Sequence, residues 1–286
     1  MKSRWLINLL LLLAIAGLGL VARYEPGIDK PDAVQPITAI AADAIQRIHI
    51  NRPIRDDLVL LKHPDGNWWI DRVTPLPAEP FKVRALARLA EQAPVRSYPA
   101  NDMNLEALQL DPPYATAILN DTAVEFGNLE PLDDLRHVRV NDQVHLIPDN
   151  YLRLMEVSFT QFVRSHLFDT GTRVTAIQLP GLLVRETDNN WETEPPQEDV
   201  SADVLQQFLS LWQQAQAVTI QPGDPALDGE PVEVTLAGVT EPVQFLIIAR
   251  EPELVLARPD YGITYRMGNR AEALLTLDAA VADDRD

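Results

Sequence analysis

Cysteine is absent from the 286 residues, which removes disulfides, thiolate metal sites, thiol nucleophiles and a lipidated cysteine from consideration. Positive charge is scarce: 24 Lys and Arg stand against 42 Asp and Glu, for a net charge of −18. All 42 acids and 21 of the bases follow Arg23, so that stretch carries −21. Such a surface repels nucleic-acid backbones and anionic lipid faces, so no nucleic-acid partner is expected. Also missing are a Gly-x-Ser-x-Gly nucleophile elbow, a phosphate-binding glycine loop and a His-Glu-x-x-His pair. Triads built from distant residues leave no such spacing, so these absences narrow the enzyme classes without emptying them. No cofactor is expected. What remains is a globular composition, 46% hydrophobic and 23% charged, long enough for two domains of about 100–200 residues each.

The N-terminus carries the strongest pattern. Lys2 and Arg4 precede an apolar run from Trp5 to Ala22, broken only by Asn8. As a helix this run spans about 27 Å at about 1.5 Å per residue, close to a thin bilayer core. Trp5, Leu6, Leu9, Leu10, Leu13, Ile15, Leu18 and Leu20 form its expected membrane-facing surface, and Trp5 and Tyr24 bracket it where interfacial aromatics sit. Cations before the run and acids after it predict a cytoplasmic N-terminus and an exported body. The expected setting is therefore a membrane crossed once, with most of the chain on its outer side. A cleaved signal peptide is the alternative, with Ala14-Ile15-Ala16 or Leu20-Val21-Ala22 as the cleavage sites. The run exceeds the usual signal core of about 7–15 residues, which favours a retained anchor.

Beyond residues 1–23, residues 24–36 read as a Pro- and Gly-containing tether, and residues 278–286 as an acidic tail. Between them one design recurs. Asp65-Gly66-Asn67-Trp68 matches Asp188-Asn189-Asn190-Trp191, and the same offset pairs Phe81 with Val204, Leu86 with Leu209, Leu89 with Trp212, Val95 with Val218 and Pro99 with Pro222. Ile48-His49-Ile50 corresponds to Ile177-Gln178-Leu179, Ala115 to Leu119 resembles Val232 to Leu236, and His137 to Val140 resembles Leu254 to Ala257. The ordered series predicts two duplicated units, 37–157 and 173–277, joined by a semi-rigid junction over 158–172 with Phe159, Phe162 and Phe168 packed.

Alternation over Ile45 to Ile50, Leu58 to Leu61 and Trp68 to Ile70 predicts strands, with a turn at Asp65-Gly66. Val83, Leu86, Leu89, Ala90 and Ala93 predict a helix over Phe81 to Ala93, opened by Pro80 and stopped by Pro94. In the second unit Ser201 caps a helix striped by Val204, Leu205, Phe208, Leu209, Trp212 and Ala215. Strands return at Thr116 to Leu119, Val124 to Phe126, His137 to Val140 and Val144 to Ile147, the last two around an Asn141-Asp142 turn. Short helical ends follow at Tyr151 to Met155 and Ala271 to Leu275. Strands, one helix and more strands specify an α+β fold class: an N-terminal transmembrane helix, then two tandem similar α+β units with mostly antiparallel sheets.

Candidate sites each have a structural counterpart. His137 and His145 fall on opposite faces of their predicted hairpin, which separates them as metal ligands; His49, His63 and His166 have no companion at ligand spacing. Asp224 and Asp228-Gly229 lack the alternating oxygens of a calcium loop and read as a turn. Asp56-Asp57 and Asp133-Asp134 are adjacent acids on an acidic surface, with nothing in the sequence tying them to a cleft. Trp68 takes the core side, by its match to Trp191. Trp69 faces the other way and is the candidate interaction residue, or else a rim residue covering the sheet.

Several segments resemble one family when taken together: MKSRWLINLLLLL with ARYEPG, DGNWW, LQLDPP at Leu108 to Pro113, FGNLEPLDDLRHVRV at Phe126 to Val140, and VHLIPDNYLRLM at Val144 to Met155. The chain is similar in these to a bacterial domain-of-unknown-function family of membrane-anchored proteins associated with gliding-motility-type ABC transporter auxiliary subunits. The resemblance implies an extracytoplasmic accessory or scaffold protein that works with a transporter permease or auxiliary subunit and has no catalysis of its own. It carries over no catalytic residue. Two alternatives stand beside it: a periplasmic module binding a small ligand or glycan between the two units, and an envelope hydrolase with a site assembled from distant carboxylates.

Overall fold

Alternating apolar residues build a series of short antiparallel strands between Arg47 and Arg266, and the two runs with helical period pack against them. The computed structural model describes residues 9–19, 35–53, 55–131, 133–169, 171–188, 190–197, 200–224, 226–268 and 271–277. Met1–Pro36 and Ile37–Asp286 are separate units. In the first, residues 9–19 are helical (α1). Leu9, Leu10, Leu13, Ile15 and Leu18 lie on this helix with exposures from 45% to 69%. Trp5, Leu6 and Leu20 fall outside the described residues, as do nearly all of the tether and the whole acidic tail. Among the described residues no helix is long and apolar enough to cross a membrane.

The second unit opens with β1 (Arg47–Asn51), β2 (Leu58–Lys62), β3 (Trp68–Ile70) and β4 (Leu76–Pro77). Helix α2 (Pro80–Ala87) follows, then β5 (Arg96–Pro99), β6 (Ala115–Leu119), β7 (Thr122–Leu129), β8 (Leu135–Val140), β9 (Gln143–Pro148) and α3 (Leu152–Glu156). These nine strands form one sheet in the order β4-β3-β2-β1-β6-β7-β8-β9-β5. The chain then builds β10 (Val174–Leu179), β11 (Leu182–Thr187), β12 (Asn190–Glu194), α4 (Ala202–Gln213), β13 (Thr219–Pro222), β14 (Glu230–Leu236), β15 (Val243–Ala249), β16 (Val255–Arg258) and β17 (Ile263–Arg266). Their sheet has the order β12-β11-β10-β14-β15-β16-β17-β13. With β4 set aside, the two sheets share one strand order, and α2 and α4 occupy the same place in it. Burial agrees at one matched pair, where Ala115–Leu119 and the last five residues of β14 both alternate buried and half-buried, and differs at another, where β3 is buried at both ends and β12 has no buried residue. Every named strand pair is antiparallel, so the fold is α+β with antiparallel sheets.

Local chemistry explains the turns and ends. The β8–β9 hairpin pairs Val140 with Gln143, and Asn141 takes φ 53°, as a tight primed turn requires. Before β3, Asp65 Oδ1 accepts the Asn67 N–H at 2.9 Å while Gly66 sits at φ 86°. Ser201 caps α4 by accepting the Val204 N–H at 3.3 Å. The predicted first helix needs correction. It begins at Pro80 rather than Phe81, ends as α-helix at Ala87, and tightens into a 3-10 turn over Arg88–Glu91, which leaves Ala93 exposed and outside the buried stripe.

The junction is itself hydrogen-bonded on both sides. Glu79 N–H donates to Phe162 O at 2.6 Å and Arg164 N–H to Pro77 O at 2.9 Å, tying it to β4. Leu167 N–H donates to Ala215 O at 3.0 Å and Ala217 N–H to Ser165 O at 2.9 Å, tying it to the segment before β13. Phe162, Val163, Leu167 and Phe168 are buried in a hydrophobic core that runs without a break through both sheets.

Candidate functional site

Strand alternation sends Trp68 into the core, 6% exposed, and turns Trp69 toward the junction, half-buried. There Trp69 lines a cleft of about 370 Å³ with residues from several parts of the chain, Leu236 and Val243 at the β14–β15 turn among them. Pro77 comes from β4; Arg164, His166, Phe168, Asp169 and Arg173 come from the junction and the chain just after it; Arg258, Tyr261 and Tyr265 come from the far end of the second sheet. The ring of His63 lies 5.4 Å from that of Trp69. The indole Nε1 is buried with no acceptor, a costly state for a donor.

Charge in the cleft is held in pairs. Arg164 meets Asp169, Arg173 meets Glu186 at 2.9 Å, and Arg258 meets Asp260 at 3.3 Å. Arg258 also lies flat over the Tyr261 ring at 3.6 Å, a cation–π geometry. Tyr265 is buried beside it, and burial pushes its hydroxyl up to about 12, so it stays protonated. The arrangement is a set of fixed donors and aromatic faces, suited to holding a ligand. Of these residues the sequence marked Trp69 as an interaction candidate, weighed His166 only as a lone histidine and Phe168 only as junction packing. Positions 69, 164 and 258 have no short spacing to betray them, and only the fold brings them together.

A second depression lies beside the first sheet, around Tyr114, with a polar chamber of about 710 Å³ next to a more apolar one of about 330 Å³. Tyr114 donates to Glu156 at 2.8 Å, and this bond raises the phenol's pKa. Arg136 grips both oxygens of Asp149 at 2.6 and 2.9 Å and donates to Gly127 O at 2.6 Å. Those donors are satisfied within the protein and organise the loop.

The remaining candidates are kept apart. The hairpin pairs Val138 with His145 and His137 with Leu146. His137 Nδ1 lies 3.2 Å from Asn128 O, whereas His145 Nδ1 lies 2.8 Å from Ser97 Oγ. His49 pairs with Asp57 at 2.8 Å, Asp133 with Arg96 at 2.9 Å, and Asp224 Oδ1 accepts the Ala226 N–H at 2.9 Å in a turn. The Asp65 carboxyl is held below the usual range by the backbone and side-chain N–H groups of Asn67. Among the described residues no group of three or more His, Asp and Glu side chains is placed to hold a metal ion.

No curated protein matches the chain. No solved structure matches it either. A family profile, Domain of unknown function (DUF4340), matches residues 68–230, which is more than half of the chain and includes β3, the junction and α4. The chain belongs to the DUF4340 family, a domain of unknown function.

Proposed function

We propose that this chain is a membrane-anchored extracytoplasmic accessory or scaffold protein of an ABC transporter complex, with its body outside a bacterial inner membrane and no catalysis of its own. The observation that carries the reading is α1, apolar on every side and exposed along its length. Such a helix is stable in hydrocarbon or among other apolar helices. The cations before it and the −21 body after it orient it. The segments that resemble transporter-associated proteins support the partner. The sequence carries no phosphate-binding loop, so ATP hydrolysis falls to another subunit. The shared strand order of the two sheets supports descent by duplication. The test is copurification from native membranes in mild detergent followed by mass spectrometry. A transporter permease or auxiliary chain is expected with the protein, and its absence, or a body that protease added to spheroplasts cannot reach, defeats the proposal.

A second reading, a module that binds a small ligand between the two halves, is favoured by the cleft at Trp69. It is compatible with the first, since holding cargo is a task for a transporter accessory. Tryptophan fluorescence of the full chain against a panel of envelope metabolites tests it, with Trp69→Phe removing the response.

A further inference from the structure

We propose that the junction cleft binds a carboxylate carried on a six-membered ring, with a carboxylated sugar as the type ligand. This rests on the ligand-binding reading above and adds the chemistry of the ligand.

Charge is the first argument. The chain holds 24 bases against 42 acids, yet along the cleft Arg164, Arg173, Arg258 and His166 outnumber Asp169. The side chains of Arg164 and Arg258 are only 14% and 12% exposed, while their partners Asp169 and Asp260 are 67% and 54% exposed. Each pair therefore has a sheltered cation and a solvated anion. Ion pairs to a solvated carboxylate are weak, so a ligand carboxylate entering the cleft can take over the guanidinium, with bidentate geometry and less screening.

Shape is the second argument. Trp69 supplies an aromatic wall, and beside it Tyr261 is held in place by Arg258, which stacks over its ring at 3.6 Å. The flat C–H face of a sugar or the face of an aromatic ring packs on such walls. The Trp69 Nε1–H lacks an acceptor within the protein, so a donor is left unmatched on this wall. A volume of about 370 Å³ lies at the low end of small-molecule sites, about 300–1,000 Å³. That fits one or two rings.

Asymmetry is the third. At the offset that aligns the halves, Trp69 corresponds to Glu192. β3 sets Trp69 opposite Leu61, whereas β12 sets Glu192 opposite Arg185. The second sheet thus has an acid where the first has an indole, and a matching cleft there would repel the same ligand.

The test titrates the full chain in detergent with glucuronate, glucose and benzoate, read by calorimetry and by tryptophan fluorescence. Glucuronate is expected to bind at least about tenfold more tightly than glucose, and added salt to weaken it. Arg164→Gln is expected to weaken glucuronate by about 10–100-fold, the range of a charge-assisted hydrogen bond. Arg173→Gln, at a side chain 59% exposed, removes a cation without disturbing the core and should weaken binding less. Trp69→Phe should remove the fluorescence response. Benzoate binding more tightly than glucuronate assigns the site to aromatic acids and keeps the shared chemistry. Glucose binding as well as glucuronate, or arginine variants without effect, overturns the proposal and leaves a binding cleft. Silence of all three ligands in both readouts overturns the proposal and the ligand-binding reading together.

Discussion

His145 lies on β9 with its ring packed inward, 9% exposed, and burial holds its imidazole below the ordinary value near 6.5. Well above that value both the folded and unfolded forms are neutral, and no stability is lost. As pH falls through the unfolded value, the unfolded chain binds the proton first, so stability declines with falling pH. Thermal unfolding followed by circular dichroism should show the midpoint dropping between about pH 7.5 and pH 5.5, and His145→Gln should flatten that slope. Gly127 is constrained by space rather than by dihedral angle. A Cβ there would collide with the Leu108 carbonyl oxygen and stand 2.9 Å from Leu110 Cγ. It sits in the irregular stretch of β7, where the register against β8 shifts between Phe126 and Leu129. Gly127→Ala should destabilise the protein by about 1–3 kcal/mol, seen as a lower urea midpoint with the same slope.

At the level of elements, what could be read in advance depended on burial. α4 has its cap and its stripe in plain sight: Leu205, Phe208, Leu209 and Trp212 are buried at helical spacing behind Ser201. Ser201→Ala should cost about 1 kcal/mol. Glu79 stands at the same position of α2 and makes no side-chain cap, so Glu79→Ala should change the midpoint little when the two are compared by chemical denaturation. α2 was read too long because Leu89 and Ala90 stay buried after the helix has tightened; an apolar period reports which side is inward, and says little about pitch. β5 and β13 escaped the pattern for the opposite reason. They are edge strands with three and two exposed residues out of four, so alternation has little to act on. β4, two residues long, is too short to show any period.

For the whole molecule, the cleft was illegible because its walls come from β3, β4, the junction, the β14–β15 turn and β16–β17, and no local rule joins residues so far apart in sequence. The same geometry makes the halves interdependent. One hydrophobic core passes through both, and the junction backbone bonds to each. Calorimetry of the full chain should therefore give a single cooperative unfolding transition, and Leu167→Asp, at a side chain 3% exposed, should move that transition down without splitting it. Two separated transitions would contradict this account. The stitched junction has a mechanical consequence as well. With residues 163–167 laced to neighbours on either flank, the span contains no slack chain to stretch, so a tug on one lobe is transmitted to the other at once instead of being absorbed between them.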